Sequence, residues 1–139
     1  MNELREKMTE ITVNSNKKID AINITGNISN FIPENAQGFI HLYCPHSTAA
    51  LIISEYEDKL IKDLKSVANR LLEHCGPFEH NDNNNPNASA HILSSIMGVS
   101  TWVPVQNGKM KLGKYQNILL LELDGPKQRK IQFSFIKAE

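Results

Sequence analysis

The sequence predicts an α+β fold: a single domain over residues 1–139, mostly antiparallel β-sheet in a sandwich-like arrangement, with two to three packed helices. Three observations support this prediction. The chain has 139 residues, which suits one domain with one core. Its apolar runs are mostly short and bounded by turn residues, as in strands joined by short connections. Strand and helix patterns do not alternate regularly, which disfavours a doubly wound parallel sheet.

The N-terminal part of the chain is predicted to be mainly β-structure. Four short apolar segments, separated by polar turn residues, predict strands: 7–15, 17–25, 39–44 and 49–53. Between the second and third strands, Thr25 is expected to cap a short helix that continues through Phe31 and ends at Pro33. We therefore expect two strands, a helical turn and two further strands before the first long helix.

A long amphipathic helix is predicted over residues 55–74. Its apolar residues recur at the spacing of one buried helical face, with charged residues on the other side. Ser54 and Glu57 fit a capping box, with Ser at the N-cap and Glu three residues later. Gly76 and Pro77 then end the helix. We interpret this helix as a packing element with a solvated charged face.

A second, shorter helix is predicted over residues 86–97, with Asn85 or Asn87 as its cap and Gly98 after its end. The remaining chain favours β-structure. An Asn-Gly hairpin turn is expected at 107–108, and two strands are expected at 116–124 and 129–137. With residues 100–105 and the segment that follows the hairpin turn, the strands number seven or eight in all.

Composition excludes several classes of function. Lys plus Arg and Asp plus Glu are 15 each, so the formal charge is zero, which argues against a nucleic-acid partner. No apolar run approaches the roughly 18 residues of a membrane span. The first residues, 1–9, are charged and do not resemble a signal peptide. Two cysteines, Cys44 and Cys75, are too few for a disulfide framework, so we expect free thiols and a cytoplasmic location.

Reactive side chains are concentrated in the polar stretch from His80 to Gly98 and at two other places. The Asn-rich bridge 83–87 favours turns and has no value as a core, yet His80 precedes it and His91 follows it. The other places are a strand end and a later strand with its turn, and their residues are His46, Thr48, Glu122, Asp124, Lys127 and Arg129. By period-2 alternation Glu122 and Asp124 share a strand face, opposite Leu119, Leu121 and Leu123.

These residue types are compatible with two kinds of site. His46, His80 and His91 could converge as neutral ligands of a divalent metal, zinc or magnesium, with a carboxylate as a further ligand. Their spacing matches no short metal motif, and surface or capping histidines are the alternative. Thr48, Lys127, Arg129 and the start of the second helix are compatible with a phosphate site. A surface turn with two solvated cations fits the same residues.

Five segments, in order from about residue 38 to 136, resemble the secondary thiamine-phosphate synthase family, the YjbQ-like small proteins. Residues 44–50 resemble its His-Thr-Thr-Ala segment, 87–91 its Asn-Ala-Asp-Ala-His segment, and 96–100 the stretch that follows. Residues 112–116 resemble Leu-Gly-Thr-Trp-Gln, and 122–129 resemble Glu-x-Asp-Gly-Pro-Arg-x-Arg. No single segment is specific, but together they are.

The resemblance implies an α+β domain that assembles as a homotrimer. It also implies a weak thiamine-phosphate synthase activity, in which a thiazole phosphate displaces pyrophosphate from a pyrimidine diphosphate. The family's histidine and acidic positions fall on the histidines and carboxylates named above. We therefore expect catalytic roles for His46, Thr48, Glu122 and Asp124, phosphate binding by Lys127 and Arg129, and metal or direct phosphate binding by His46, His80 and His91.

The chain departs from the family pattern at several positions. Ser89 replaces an Asp, so any proton-transfer or metal role of that carboxylate is lost. Ser47, Tyr115 and Lys127 are milder changes that keep a hydroxyl group, an aromatic ring and a positive charge. Because binding tolerates the loss of an acid better than catalysis does, two alternatives to the transferase stay open. They are a non-catalytic oligomeric binder of a phosphorylated metabolite and a metal-dependent hydrolase.

Overall fold

Eight strands pair into two antiparallel sheets within residues 8–72, 74–82 and 84–139, which the computed structural model describes. The strands are β1 (Thr9–Asn14), β2 (Asp20–Asn23), β3 (Gly38–Tyr43), β4 (Ala49–Ser54), β5 (Ser100–Gln106), β6 (Lys109–Met110), β7 (Asn117–Glu122) and β8 (Gln128–Lys137). The α-helices are α1 (Thr25–Ser29), α2 (Asp58–Arg70) and α3 (Ala88–Met97), and a 3-10 helix spans Glu79–Asp82. The predicted α+β class and antiparallel pairing are confirmed.

The two sheets form a sandwich with helices on one side only. The larger sheet has the order β1-β8-β3-β5-β6 and the smaller one the order β2-β7-β4. Between the sheets lies a core to which both contribute, with Ile40 and Leu42 from β3 facing Ile118 and Leu120 from β7. A second core joins the smaller sheet to α2 and α3 and includes Leu121. Among the described residues, no helix packs against the outer face of the larger sheet.

Strand β7 is buried on both faces, because it lies in the middle of the smaller sheet and in the middle layer of the molecule. Ile118 and Leu120 face the larger sheet, whereas Leu119 and Leu121 face the helices. This explains its continuous apolar sequence, which lacks the alternation of a half-exposed strand. The sequence predicted that only the Leu119 face of this strand is buried. That prediction is incomplete, because Glu122, on the Ile118 face, is also fully buried.

Helix α2 is shorter than predicted and has a different cap. Ser54 stays in the sheet, where it pairs with Asn117 of β7, and cannot serve as the N-cap. Glu57 takes that position, and its carboxylate accepts a hydrogen bond from the Leu60 amide at 2.8 Å. The apolar face is also only half covered. Ile61, Leu64, Ala68 and Leu72 pack on the second core, while Leu60, Val67 and Leu71 are exposed.

Helix α1 begins at Thr25, which was predicted as its cap, and Ile24 takes the N-cap position. The Thr25 hydroxyl instead ties the helix to β7: it donates to Asn23 Oδ1 at 2.7 Å and accepts from the Ile118 amide at 2.8 Å. The helix ends at Ser29, whereas it was predicted to continue through Phe31 and end at Pro33. Residue 7 of the predicted first strand, residue 73 of the predicted long helix and Asn83 of the Asn-rich bridge lie outside the described residues.

Helix α3 starts after Asn87 and ends at Gly98, which adopts φ of 100°, as the predicted stop requires. The side chain of Asn87 makes no cap hydrogen bond to the helix. The first free amide, that of Ala88, donates instead to Asn81 Oδ1 at 3.0 Å, so a residue of the 3-10 helix satisfies the start of α3. Asn87 is thereby available for the contacts described below.

Candidate functional site

A cavity of about 500 Å³ opens between the end of β3 and the C-terminal half of α3. Residues 43–47 form one side, and His91, Ser94, Ser95, Gly98 and Val99 form the other. We call this the His46 cavity. It brings together two of the three predicted histidines, His46 and His91, which are 45 positions apart in sequence. No carboxylate is present in this lining.

Backbone contacts fix the protonation state of His46. Its Nε2 lies 2.9 Å from the Lys130 amide nitrogen and 3.2 Å from the Lys130 carbonyl oxygen. The amide hydrogen has a fixed direction, so we assign that contact as the bond, with Nε2 as acceptor. Burial lowers the pKa of His46, and the positive charge of Arg129 lowers it further, despite the contact with Lys130. A neutral ring that accepts at Nε2 carries its proton at Nδ1, which can then donate to a ligand.

Polar groups of the His46 cavity without a hydrogen-bond partner within the described residues include Nδ1 of His46, the hydroxyl of Ser47 and the ring nitrogens of His91. Two further polar groups in the cavity wall are already satisfied. Ser94 donates to the Ala49 carbonyl at 2.6 Å, and the Cys44 amide donates to the Val99 carbonyl at 2.7 Å. Burial also raises the pKa of the Cys44 thiol, so it stays protonated and is a poor nucleophile.

His80 reaches the site through His91. The two imidazole rings meet edge to face, with centroids 4.8 Å apart and an interplanar angle of 80°. On its other side, His80 Nε2 lies 3.0 Å from Asn87 Oδ1. Asn87 Nδ2 donates to Asp124 Oδ2 at 2.9 Å, and because a carboxylate can only accept, this sets the orientation of the amide. His80 Nε2 must then be the donor to Oδ1. A chain of contacts links Asp124 to His91 through Asn87 and His80.

Asp124 is buried, and its Oδ2 accepts several hydrogen bonds. Besides Asn87, it accepts from Lys127 Nζ at 2.8 Å and from Asn85 Nδ2 at 3.4 Å. Burial alone would raise the pKa of Asp124, but these donors, Lys127 first, lower it below its ordinary value. The predicted phosphate ligand Lys127 is therefore held in an ion pair with Asp124, on a half-exposed side chain. Neither residue lines the His46 cavity.

Glu122, Arg129, Thr48 and Ser15 form a buried hydrogen-bonded cluster that we call the Glu122 network. Arg129 Nε donates to Glu122 Oε1 at 2.9 Å, and its Nη2 donates to the hydroxyl of Thr48 at 2.8 Å. Ser15 donates to Glu122 Oε1 at 2.6 Å. Burial alone would raise the pKa of Glu122, but hydrogen bonds from Arg129, Ser15 and the Asp124 amide lower it below its ordinary value.

The Glu122 network positions the loop before β4 and lies behind the cavity. Arg129 also donates to the backbone carbonyl of Thr48 at 3.0 Å, so it holds the segment that carries His46 and Ser47. Its exposed fraction is 3% and that of Glu122 is 0%. Gly125 allows the following turn to pack closely, because a Cβ at this position would lie 2.2 Å from the Lys17 carbonyl oxygen. Arg129 and Thr48 are therefore enclosed, where sequence reasoning expected them at a phosphate.

A metal held by His46, His80 and His91 together does not fit one chain. Within the described residues, no group of three or more His, Cys, Asp or Glu side chains is close enough to hold an ion. His46 also has its only lone pair directed at the Lys130 amide and a proton on Nδ1. His80 and His91 are close enough to act as a pair, but structural and catalytic zinc sites use three or four protein ligands. The donor set within one chain is thus incomplete.

The start of α3 faces a different cavity from the one that contains His46. A cavity of about 200 Å³, which we call the Ser89 cavity, is lined in part by Asn87, Ser89, Leu93 and Asp124. The position at which the family pattern has an Asp therefore faces Asp124, whereas the His46 cavity meets the C-terminal half of α3. The expectation that the N-terminus of this helix is directed at the His46 cavity is not met.

Sequence reasoning missed three residues that organise the site: Ser15, Asn81 and Asn87. Ser15 was predicted only as the end of the first strand, and only its distant partner Glu122 gives it a role. Asn87 was considered as a helix cap, and no local signal distinguishes a capping Asn from one that joins a histidine to a carboxylate. The Asn-rich composition of residues 81–87 did indicate that side-chain hydrogen bonding is concentrated there.

The fold and these cavities define a small β-sandwich protein with a histidine-lined pocket at the junction of β3 and α3. The family model described as UPF0047 protein YjbQ-like matches residues 9–138. The chain belongs to this family. A UPF0047 protein of Archaeoglobus fulgidus is 36% identical over 122 residues, 88% of this chain and 95% of the relative. The UPF0047 protein YugU of Bacillus subtilis is 34% identical over 123 residues, with 86% and 91% covered.

Solved structures show the same fold. A hypothetical protein of Aeropyrum pernix K1 has a TM-score of 0.88 at 30% identity, with 95% of this chain and 99% of that chain covered. A YbjQ-like protein of unknown function from Sulfolobus solfataricus P2 has a TM-score of 0.89 at 28% identity, with 96% and 99% covered. Within the described residues, no helix has the length and apolar character needed to cross a membrane.

Proposed function

We propose that this protein is an enzyme that acts on a small phosphorylated metabolite, whose phosphate oxygens bind in the His46 cavity. The observation that carries the proposal is a set of polar groups in that cavity without partners in the described residues, among them Nδ1–H of His46, the Ser47 hydroxyl and the His91 ring. Ser47 is exposed and both histidines are half-buried, so these groups can exchange hydrogen bonds with water for hydrogen bonds with an anionic ligand. No carboxylate lines the cavity to repel an anion.

The reaction that we propose is the one implied by the family resemblance. A thiazole phosphate attacks a pyrimidine diphosphate, a carbon–nitrogen bond forms, the carbon–oxygen bond to the leaving group breaks, and its electron pair leaves with pyrophosphate. Hydrogen bonds from His46 and His91 would stabilise the negative charge that develops on that leaving group. Arg129 acts indirectly: it donates hydrogen bonds to the carbonyl and hydroxyl of Thr48 and adds positive charge near His46.

Calorimetric titration with pyrophosphate and with thiamine phosphate, alongside an assay of pyrophosphate release, tests the proposal. His46→Ala and His91→Ala each remove a hydrogen-bonding group that contacts a charged ligand, and each should weaken binding about 10- to 100-fold. His74→Ala is the matched control, because His74 is exposed and lines none of the described cavities. Undiminished affinity in the His46 and His91 variants would contradict the proposal.

A divalent metal, zinc or magnesium, is a second version of the same proposal. His80 and His91 would supply two ligands, and the remainder would have to come from the substrate or from another copy of the chain. Turnover measured with and without a chelator separates the two versions. Equal rates would remove the metal version and leave the histidines as direct phosphate ligands.

A non-catalytic binder of the same metabolite is the second candidate, and the state of the carboxylates favours it. Glu122 and Asp124 both have lowered pKa values, so both stay ionised and neither is available as a general acid. Ser89 supplies no carboxylate in their place. Tight binding of thiamine phosphate without pyrophosphate release from its precursors would support this candidate over the enzyme. Turnover gained by Ser89→Asp would assign the loss of activity to that position.

We also propose that the outer face of the larger sheet joins copies of the chain into a homotrimer. Large side chains are exposed there on three adjacent strands: Phe39 and Tyr43 on β3, Trp102 on β5 and Ile136 on β8. Their neighbours across the strands are uncharged, so identical copies can meet there without bringing like charges together. Light scattering should give about three times the 15.7 kDa chain mass, and Trp102→Glu should reduce it to the monomer mass.

A further inference from the structure

The Ser89 cavity combines parts of the fold that are distant in sequence. The turn before β2, the second half of α2, the start of α3 and the residues after β7 meet there. At about 200 Å³ it is smaller than the roughly 300–1,000 Å³ of cavities that hold drug-sized ligands. It shares no lining residue with the His46 cavity, so the two cavities can be tested independently.

Asp124 supplies a buried hydrogen-bond acceptor in the wall of this cavity. Its side chain is 8% exposed, and its three side-chain donors, from Asn85, Asn87 and Lys127, all bind to Oδ2. Oδ1 accepts no hydrogen bond from any described residue. A buried oxygen without a donor is unfavourable, and the lowered pKa of Asp124 keeps the group ionised. Oδ1 therefore has capacity for a hydrogen bond from a ligand.

The start of α3 supplies hydrogen-bond donors in the same cavity. The Ala88 amide is bonded to Asn81, but the amides of Ser89 and Ala90 have no acceptor within the described residues. Both of these residues line the cavity, and the dipole of the ten-residue helix favours an anion at its N-terminus. Lys18, an exposed residue of the wall, adds a positive charge.

These two features together favour a ligand that carries both charges. A simple anion would meet the carboxylate of Asp124, without a group of its own to pair with it. A simple cation would meet a carboxylate that Lys127 already pairs with, and a further cation in Lys18. A small zwitterion avoids both conflicts, because its ammonium group can donate to Asp124 while its carboxylate accepts from the helix amides.

We infer that the Ser89 cavity binds a small free α-amino acid, such as alanine. The ammonium group donates to Oδ1 of Asp124, and the carboxylate accepts from the amides of Ser89 and Ala90. A short apolar side chain packs against Ala68 and Leu93, which are buried apolar residues of the wall. The inference does not depend on the proposed phosphate chemistry, because it uses no group of the His46 cavity.

An NMR titration of the full chain, labelled with nitrogen-15, tests the inference. The probes are L-alanine, acetate, which lacks the ammonium group, and methylammonium, which lacks the carboxylate. L-Alanine should shift the amide resonances of Ser89 and Ala90, and each of the other probes should bind about 10- to 100-fold more weakly, because each loses one set of hydrogen bonds to a charged group. Unshifted amides, or equal affinity for acetate or methylammonium, would overturn the inference.

Substitutions of Ser89 provide a second test of the same site. Ser89→Leu fills the cavity from an exposed position on the helix, so the chain should fold, as its spectrum will show, and L-alanine affinity should fall at least about 10-fold. Ser95→Leu is the matched control, because Ser95 is exposed on the same helix but lines the His46 cavity, and affinity should stay within about twofold. Unchanged L-alanine affinity in Ser89→Leu would place the ligand elsewhere.

Ser89→Asp distinguishes recognition of charge from a general change in the helix. It places a second carboxylate beside that of the ligand, so it should weaken L-alanine and strengthen methylammonium, each about two- to fivefold. A loss of helix structure would weaken both probes together. Affinities that move in the same direction would therefore contradict the proposed orientation of the zwitterion, and opposite movements support it.

Discussion

The Glu122 network and the His46 cavity lie on two sides of the same loop, but they differ in how far their polar groups are hydrogen-bonded within the protein. In the network, Glu122 receives hydrogen bonds from Arg129, Ser15 and two backbone amides, so its carboxylate has no capacity left for a ligand. In the cavity, His46 and His91 keep ring nitrogens without protein partners within the described residues. The first arrangement maintains the shape of the loop, and the second can bind a ligand.

This difference shows that residues in family segments can have either a structural role or a ligand-binding role. Residues 122–129 and 44–50 both resemble family segments, and both contain residue types found in active sites. Burial and hydrogen bonding indicate that Glu122 and Arg129 of the first segment, with Thr48 of the second, position the loop. We propose that His46 and Ser47 of the second segment contact a ligand. Experiments that measure stability and affinity on the same variants can therefore test the comparison directly.

The largest expected effect comes from Arg129→Met. It leaves the Glu122 carboxylate buried without its cationic partner, which should lower the free energy of unfolding by about 3–5 kcal/mol. Urea denaturation measures the change. Lys127→Met is the control, because the Lys127 side chain is half-exposed and Asp124 keeps its hydrogen bond from Asn87, so the loss should be smaller, about 1 kcal/mol. A loss below about 1 kcal/mol for Arg129→Met would show that the network contributes little.

Ser15→Ala tests the network without removing a charge. It takes away a donor to Glu122 and the acceptor of the Lys127 amide, 2.9 Å away, and should cost about 1–3 kcal/mol of stability with pyrophosphate affinity unchanged. Ser47→Ala should do the opposite, with stability within about 0.5 kcal/mol of the parent and affinity reduced. Reversal of these two patterns would invalidate the assignment of the two regions.

Ser89→Asp tests whether the Ser89 cavity is separate from the His46 cavity. An acidic residue in the first turn of α3 interacts favourably with the helix dipole, and Asp124 on the same cavity offsets part of that gain. We expect a stabilisation of at most about 1 kcal/mol in urea denaturation. Pyrophosphate affinity at pH 7 should stay within about twofold, and a larger change would indicate that the two cavities act together.

The smallest expected effect is a pH dependence of stability, to which His46 in the cavity and Glu122 in the network each contribute. His46 has a pKa below its ordinary 6.5, so the unfolded chain binds a proton more readily, and stability should fall as the pH drops below 6.5 towards the folded pKa. The ring is half-exposed, and solvent screening limits this loss to a few tenths of a kcal/mol, on the order expected for such groups. The lowered pKa of Glu122 has the same sign but acts only below its ordinary 4.5. Urea denaturation at pH 7, 5.5 and 4 checks both, and His46→Gln should remove the first component alone.

Periodicity and turn residues predicted the fold class and the approximate extents of most elements. Strands β3 and β8 and the end of α3 at Gly98 fall within a residue or two of their predicted positions. Boundaries failed where a tertiary contact replaced a local one. Ser54 fits a helix cap by its sequence neighbours, but pairing with Asn117 keeps it in a strand. Thr25 likewise bonds to Ile118 of a strand that follows about 90 residues later.

The candidate site was predictable as a set of residues but not as an arrangement. His46 and His91 meet because β3 ends beside α3, which follows from sheet pairing and not from spacing. The burial of Glu122 did have a local signal, since Ile118 and Leu120 make its strand face as apolar as the Leu119 face. No local sequence signal indicated that Arg129 pairs with Glu122 rather than with a ligand, because seven residues and a turn separate the two.

Strand β7 contributes to two cores, so the surroundings of Glu122 depend on how β7 is aligned with β4. If β7 shifted by one residue against β4, its side chains would exchange faces, and Glu122 would enter the apolar layer beneath the helices, away from Arg129. Leucines on both faces fit either alignment almost equally well. The charged pair does not, because a buried carboxylate without its guanidinium is strongly unfavourable. The ion pair thus selects one alignment of an otherwise permissive strand.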